Sequence, residues 1–207
     1  AAAVTAGTEY NKVFNGLGMS TVAITEAETG GITGASGGTT ESTSYGAGMI
    51  STEIVPQYTR VKVGRDIITT VLIDLTGLAN KNDVDDVIGL AAGGAAYFYK
   101  NVVAENGIIH KIEMTCLELP TASSNVGLDV DLVSNSAATR VYDNDGSGYT
   151  SVIAAGADMV LGDTLQNLAD HGAADDYYYL TTGATHSGDS TYTAGKLMIK
   201  FYGHPQV

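Results

Sequence analysis

The end of the chain carries the feature that most constrains the fold, an alternation of side chains over residues 196–202. Leu197, Ile199 and Phe201 fall at one parity, and two lysines fall at the other. Successive side chains of a strand point to opposite faces, so this period of two predicts a strand with one face in a core. The pattern therefore favours a β-protein whose last strand helps to form the core.

A second strand pattern, YYYLTT, precedes this one across a polar loop. We predict that the two strands form a closing β-hairpin, with Tyr178 and Leu180 on the core face. The tyrosines on either side of Tyr178 would then lie outside, and exposed aromatic side chains are enriched at protein interfaces. The candidates for contact with a partner are four tyrosines: Tyr177, Tyr179, Tyr45 and Tyr10.

Short strand patterns recur along the rest of the chain. The segment that begins at Ile67 has apolar residues at both parities, including Leu72, which predicts a central strand buried on both faces. The pair Asn106-Gly107 predicts a tight hairpin. A change of apolar parity in the following strand predicts a bulge near Cys116.

Two connections have helical spacing. Residues 82–90 place apolar side chains on one helical face after a possible cap at Asn82 or Asp83, and residues 163–171 do the same after Asp163. Eight or more short strands at fairly even spacing, with one or two short helices between them, predict an all-β protein. We expect an antiparallel β-sandwich, jelly-roll-like in topology.

The first part of the chain differs in composition. Residues 1–48 are rich in Gly, Ser and Thr, and such a segment buries little apolar area alone. We predict an extended N-terminal arm or long loops over residues 1–48, and a peripheral strand hairpin is the alternative. Residues 49–207 are expected to form a single β-sandwich domain.

The charge of the chain limits its partners. Its formal net charge is −13, from 23 acidic and 10 basic residues, whereas phosphate contacts need Lys and Arg. We therefore expect no direct binding to nucleic acid. No apolar run has the length of a membrane-spanning helix, and the first residues lack the features of a signal peptide. We expect no membrane association and a protein made in the cytosol.

We interpret the candidate catalytic residues as parts of the fold and not as parts of an active site. Residues 34–38 match G-x-S-x-G, but their low-complexity flanks do not predict the strand and helix that a nucleophilic serine requires. Asp129 and Asp131 share one face of a strand, which we interpret as a solvated face rather than a catalytic pair. The single Cys116 lies in an apolar pattern, which predicts a buried, inert thiol. No catalytic residue is predicted, and the chain is not expected to be an enzyme.

Metal ligands are weakly indicated. Residues 143–146, DNDG, resemble part of a calcium loop, but valines fall at its first and last ligand positions. We interpret the segment as a polar turn, while a weak cation site near Asp143 and Asp145, made with Asp129 or Asp131, stays open. The histidines lack zinc-like spacing, so no metal site and no cofactor are predicted. They are His110, His171, His186 and His204.

Four segments follow one another in a distinctive order. They are IITTVLIDLTGL from Ile67, AENGIIHKIEMTCLELPT from Ala104, GLDVDLV from Gly127, and YYYLTTG with STYTAGKLMIKFYG up to Gly203. Over about residues 60–203 this order resembles that of small virion structural proteins of tailed phages, chiefly from marine and cyanobacterial hosts. The resemblance implies a particle component without enzymatic activity or a cofactor.

A β-sandwich with a long arm fits a capsid decoration, or cement, protein. Such a protein would bind the major capsid protein on the outer surface of the head, and its arm would extend the contact. We expect it to associate with itself as a dimer or trimer and to reside on the virion after assembly in the host cytoplasm. Two alternatives remain: a neck, tail or fibre component, and a carbohydrate-binding β-sandwich that uses the tyrosine run.

Overall fold

The chain divides into two compact units, Ala1–Ser42 and Thr43–Val207. In the first unit, β1 (Glu26–Ala27) and β2 (Gly31–Ile32) pair as antiparallel strands. The second unit begins earlier in the chain than the predicted boundary at residue 49. Most of the predicted arm lies outside the residues that the computed structural model describes, which are 26–27, 31–32, 45–49, 55–81, 83–123, 128–145, 147–184 and 188–205.

The second unit is built mainly from strands, ten of them within its described residues. Its two helical elements are a 3₁₀ turn (Ala47–Met49) and the short helix α1 (Val103–Asn106). The strands are β3 (Gln57–Val63), β4 (Asp66–Asp74), β5 (Ala79–Asn80), β6 (Tyr99–Lys100), β7 (Ile108–Ala122), β8 (Val130–Asn135), β9 (Thr150–Ile153), β10 (Thr164–Asn167), β11 (Tyr177–Thr182) and β12 (Ser190–His204).

The ten strands form two sheets. In the six-stranded sheet, β10, β7, β12, β4 and β3 lie side by side in that order, and β5 pairs with the start of β12. The four-stranded sheet has the order β6, β11, β8 and β9. Every neighbouring pair is antiparallel. The predicted all-β antiparallel sandwich is therefore confirmed.

The chain passes repeatedly between the two sheets. Strands β4, β7, β10 and β12 belong to the six-stranded sheet, and β6, β8, β9 and β11 belong to the other. The predicted closing hairpin is wrong, because β11 and β12 lie in different sheets. The connection between them therefore leads from one sheet to the other.

Strand β12 lies between β7 and β4, and its inner face forms the centre of the core. Leu197, Ile199 and Phe201 are fully buried, which confirms the alternation predicted from the sequence. The ring centroid of Phe201 lies 4.2 Å from that of Tyr99 in β6 and 4.8 Å from that of Tyr178 in β11. These three rings join the two sheets.

Strand β4 is buried on one face only. Val71 and Ile73 are fully or nearly fully buried, whereas 40% of the Leu72 surface is exposed on the other face. The prediction of burial on both faces is wrong, because β4 belongs to a sheet whose outer face carries exposed and half-buried side chains.

Neither predicted helix forms in the described residues of the two segments, 83–90 and 163–171. The first segment follows the edge of β11 instead, where the backbone N–H of Ile88 donates to the carbonyl of Leu180 at 2.9 Å. The second contains β10, which pairs with β7. In both segments, backbone pairing with a neighbouring strand overrides the local apolar spacing.

The Asn106-Gly107 pair ends a helix rather than forming a hairpin. The N–H of Gly107 donates to the carbonyl of Val103 at 2.9 Å, and Gly107 has a φ of 73°. A glycine with positive φ commonly ends a helix, since it has no Cβ to clash. The hairpin prediction is wrong, because β6 and β7, on either side of α1, belong to different sheets.

The predicted bulge near Cys116 is confirmed. Cys116 lies opposite Leu197, and Glu118 lies opposite the adjacent Lys196, so Leu117 has no opposing residue in β12. Leu117 is 46% exposed, which places it outside the core.

Candidate interaction surfaces

Four tyrosines form a cluster on the outer face of the four-stranded sheet. Tyr178 points into the core, so its neighbours Tyr177 and Tyr179 point away from it. The ring centroid of Tyr97 lies 4.8 Å from that of Tyr177 and 6.3 Å from that of Tyr179. The Tyr149 ring lies 5.9 Å from Tyr179. We call Tyr97, Tyr149, Tyr177 and Tyr179 the tyrosine cluster.

Tyr179 lies at the buried centre of this cluster. None of its surface is exposed, and its hydroxyl donates to the carbonyl of Ala137 at 2.5 Å. Burial raises the pKa of the Tyr179 phenol. The predicted exposure of Tyr179 is wrong, because the neighbouring rings and the segment that contains Ala137 bury it. Tyr177 is half-buried, so its contact with a partner remains a prediction.

Two cations flank the tyrosine cluster. The Lys100 Nζ lies 5.3 Å from the ring centroid of Tyr177, and the Arg140 guanidinium carbon lies 5.3 Å from that of Tyr149. A cation over an aromatic face is attracted by the ring quadrupole. The cluster is therefore a half-covered aromatic surface with a positive group at each end.

Sequence reasoning missed Tyr97 and Tyr149. Tyr97 and Tyr99 lie two residues apart, but Tyr97 joins the outer cluster and Tyr99 joins the core. The segment around them has only a two-residue strand, so strand alternation does not assign its faces. Tyr149 lies just before β9, in a segment that reads as a polar turn.

The other two predicted contact tyrosines have different outcomes. Tyr45 is half-buried, and its ring stacks on that of Tyr58 at a centroid distance of 6.4 Å and an interplanar angle of 7°. Its contact with a partner is not excluded by this packing and stays a prediction. Tyr10 lies outside the described residues.

Asp129 and Asp131 are buried, which contradicts their interpretation as a solvated face. Asp129 has no exposed surface and Asp131 is 8% exposed. The Oδ1 of Asp131 accepts the N–H of Ala155 at 2.7 Å. Desolvation by burial raises the pKa of Asp131 to about 6, with a smaller contribution from the charges of Asp129 and Asp85. The sequence pattern missed this burial because it assumed that one face of β8 meets solvent, whereas loops cover that face.

Residues 143–145, the described part of the DNDG segment, have turn geometry. Asp143 has a φ of 70°, and the Oδ1 of Asn144 accepts the N–H of Val141 at 2.8 Å. The Oδ1 of Asp145 accepts the Ser147 hydroxyl at 2.8 Å. Within the described ranges, no group of three or more His, Cys, Asp or Glu side chains is placed to hold a metal ion. Both Asp143 and Asp145 are therefore explained by turn geometry.

The remaining polar candidates are Cys116 and the histidines. Cys116 is fully buried as a free thiol, as predicted, and burial raises its pKa. His110 and His204 are neighbours, with ring centroids 5.6 Å apart, and His110 Nε2 lies 3.8 Å from Asp66 Oδ1. His171 accepts a hydrogen bond at its carbonyl from the Tyr178 hydroxyl. The positions 34–38 and 186 fall outside the described residues.

The outer face of the six-stranded sheet is a mixed charged and apolar surface. Lys196 in β12 lies 3.7 Å from Asp74 and forms a second ion pair with Glu118. Two positions along the strands, and on the same face, Leu72 lies opposite Met198. On this face, an ion pair and an apolar pair therefore lie next to each other across β4 and β12.

A second charged group lies further along the same face. The Tyr202 hydroxyl donates to Glu113 Oε2 at 2.5 Å, and Lys111 Nζ lies 2.6 Å from Glu113 Oε1. Lys111 also lies 4.8 Å from the centroid of the Tyr202 ring. Such a surface, with exposed aliphatic groups between satisfied charges, resembles the mixed character of non-obligate interfaces.

Comparisons of the chain with protein-family models, with curated proteins and with solved structures find no match. No helix in the described part of the chain is long and apolar enough to cross a membrane. The arguments for a function therefore rest on the sequence and on the geometry above.

Proposed function

We propose that the chain is a non-enzymatic structural protein of a virus particle that decorates the outer surface of the capsid. The observation that carries the proposal is the strand order. Strands β4, β12, β7 and β10 form one four-strand series, and β6, β11, β8 and β9 form the other. This alternation between two antiparallel sheets supports a jelly-roll topology of two Greek keys, which viral capsid and lectin domains share.

The sequence resemblance selects the virion among the proteins that use this architecture. The resemblance spans β4, β7, β8, β11 and β12. Three of these strands, β7, β12 and β4, form the middle of the six-stranded sheet. The proposed partners are the major capsid protein and further copies of the chain. The net charge of −13 supports an outer position, where the protein does not contact the packaged nucleic acid.

The positions of the candidate groups support a structural role. Cys116, Asp129 and Asp131 are buried in the packed domain rather than grouped in an open cleft. Exposed apolar side chains do lie on the outer face of the six-stranded sheet, where Val61 and Leu72 are 52% and 40% exposed. We propose this face as the surface that meets the capsid.

Binding to undecorated capsids tests the proposal. The purified chain should co-sediment with capsids that lack it, and Leu72→Asp should weaken the binding because it places a charge in an apolar contact. Val160→Asp is the matched control, since Val160 is 58% exposed and lies in the turn before β10, outside the proposed surface. Equal binding by both variants would remove the sheet face from the proposal.

Copy number separates the two virion roles. A decoration protein is expected in on the order of hundreds of copies per particle, because the capsid repeats its surface by symmetry. A neck, tail or fibre component would be present in about a dozen copies or fewer. Quantitative gel analysis of purified particles distinguishes these outcomes.

Carbohydrate binding is the second candidate, and the tyrosine cluster favours it. Tyr97 and Tyr177 are half-buried rings in edge contact, with Lys100 beside them. Partly exposed aromatic rings form platforms for sugars. Binding on a glycan array that is lost in Tyr177→Ala would support this function, and a blank array would remove it.

A further inference from the structure

An open cavity of about 490 Å³ adjoins the turn between β3 and β4. It is lined by residues 62 and 64–66 around the turn and by residues 204–205 at the end of β12. Three of these side chains, Lys62, Arg65 and His204, can donate hydrogen bonds, and the Pro205 ring is apolar. Pockets of this size hold small ligands, and a few convergent polar groups set which ligand they bind. The donors of this cavity therefore indicate what it can bind.

The two cations at this cavity have no carboxylate partner. Lys62 and Arg65 are exposed, and neither forms an ion pair with any part of the chain that the structure describes. The cations that do form ion pairs include Arg60, Lys81, Lys100, Lys111 and Lys196. Carboxylates are plentiful in the chain, at 23 acidic against 10 basic residues, yet none of the described ones pairs with Lys62 or Arg65. Both cations are therefore available to an anion from outside the chain.

The turn fixes the backbone of the two cations and leaves space beside them. Lys62 lies opposite Ile67 and Val63 lies opposite Asp66, so the pairing of β3 with β4 continues up to the turn. Gly64 has a φ of 64°, and no atom of the described residues lies within 4 Å of an added Cβ. A ligand can therefore approach the turn closely without displacing its backbone.

One carboxylate also lines the cavity. Asp66 Oδ1 lies 3.8 Å from His110 Nε2, and the ring centroid of His110 lies 5.6 Å from that of His204. Asp66 opposes the binding of an anion, but the two cations outnumber it and an imidazole lies beside it. The cavity is therefore positive, which disfavours a metal cation as its ligand.

A tetrahedral oxyanion fits these donors better than a carboxylate does. The guanidinium of an arginine can bind two oxygens at once, and the ammonium of a lysine acts as a point charge. A phosphate or sulfate group that is attached to a ligand has three free oxygens, which can meet donors from different directions. The two oxygens of a carboxylate lie in one plane and can meet fewer of them.

Nucleic acid carries the same group but is a less suitable ligand. Its successive phosphates would extend beyond the cavity and meet the acidic remainder of the chain, whose net charge is −13. A small ligand places its charge within the cavity alone. Repulsion from more distant carboxylates is then screened over about 10 Å at moderate salt.

We propose that the cavity at the β3–β4 turn binds a small ligand that carries a phosphate or sulfate group. Lys62, Arg65 and His204 hold that group, and Pro205 contacts the remainder of the ligand. This inference does not depend on the capsid role.

Phenyl phosphate and phenyl sulfate are the direct probes, and benzoate carries the same ring on a carboxylate. Each is titrated into the full chain at constant ionic strength, and binding is followed by amide chemical shifts. The proposal predicts saturable shifts in residues 62–66 and 203–204 with at least one of the two oxyanions, and the tighter one identifies the group. Absence of saturable shifts, shifts centred elsewhere, or equally tight binding of benzoate or of an oligothymidylate would overturn the proposal.

Neutral variants of the two cations test their role. Lys62→Gln/Arg65→Gln should weaken binding by about tenfold or more, because both charge-assisted contacts are lost. Lys81→Gln/Lys100→Gln is the matched control with the same change in net charge, at positions that do not line the cavity. Thermal unfolding verifies that all of these variants are folded. Equal weakening by both pairs would mean that only the overall charge matters and would contradict the proposal.

The carboxylate at the cavity provides a test with the opposite sign. Asp66→Asn removes the one negative charge among the lining residues and should tighten binding by about twofold or more. A variant that merely disturbed the turn would weaken binding instead. Unchanged or weaker binding of the tighter probe by Asp66→Asn would show that the anion does not occupy this cavity.

Discussion

Phe201 contributes most visibly to the contact between the two sheets. Its ring stacks on Tyr99 of the four-stranded sheet and meets Tyr178 edge-on. Aromatic pairs of this geometry add to the free energy gained from burial. The residue therefore links the strand pattern that the sequence displays most clearly to the packing of the whole sandwich.

Removing this ring should destabilise the domain strongly. We expect Phe201→Ala to lower the free energy of unfolding by about 3–5 kcal/mol, since a buried aromatic ring leaves a cavity. Met198→Ala, on the half-exposed face of the same strand, should have a much smaller effect. Urea unfolding followed by circular dichroism measures both, and equal losses would contradict the assigned faces of β12.

Asp131 makes stability depend on pH in a direction opposite to that of a salt-bridged carboxylate. Burial raises its pKa to about 6 in the folded protein, whereas an unfolded Asp has a pKa of about 3.9. The folded state therefore binds the proton more readily, and its stability falls as the pH rises from about 4 to about 6.

An amide at this position keeps the acceptor for Ala155 but removes the charge. We expect Asp131→Asn to be more stable than the native chain above about pH 6, and this advantage should vanish below about pH 4. Asp145→Asn is the control, because hydrogen bonds from Ser147 lower the pKa of Asp145. Unfolding curves across this pH range measure the stability of both variants. If the two variants showed the same dependence of stability on pH, the raised pKa of Asp131 would be refuted.

The elements of the fold depend on contacts that are distant in sequence. Helix α1 ends at Gly107 because the next residues must enter β7 beside the end of β12. An added Cβ at Gly107 would lie 2.3 Å from the carbonyl oxygen of His204, and Gly107 also has a positive φ. Both constraints come from backbone atoms, so neighbouring side chains cannot relieve them.

Gly64 provides a matched comparison for this position. It also has a positive φ, 64°, but no atom lies within 4 Å of an added Cβ. Gly64→Ala should destabilise the fold by about 1–2 kcal/mol through backbone strain alone. Gly107→Ala should lower the free energy of unfolding by more than Gly64→Ala does, because the added Cβ also clashes with the backbone of His204. Similar shifts of the thermal midpoint in both variants would contradict the close approach of α1 to β12.

The sequence predicted those elements whose pattern is set locally. Strict alternation identified the core face of β12, and the parity change located the bulge at Leu117. The helices at residues 82–90 and 163–171 were wrong, because apolar spacing does not report that a strand edge is available for pairing. The prediction that Asp131 lies on a solvated face was wrong for a related reason. The residues that bury it, such as Ala155, are distant in the sequence.

At the scale of the whole molecule, the two sheets alternate along the chain in an order that supports the jelly-roll assignment. Among the described residues of the second unit, the tyrosine cluster lies on the outer side of one sheet, and the mixed outer face of the six-stranded sheet is open. The open face suits a large, flat partner better than a small ligand, since its apolar groups are spread over several strands. This arrangement motivates the proposed role at a capsid surface.

If the proposed function holds, the most direct test is cryo-electron microscopy of the particle that carries the chain, compared with a particle from which the gene is deleted. The proposed function predicts extra density on the outer capsid surface at every symmetry-equivalent position. That density should fit the sandwich with the outer face of its six-stranded sheet toward the shell. Identical capsid surfaces in the two particles, or extra density only at the neck or tail, would contradict it.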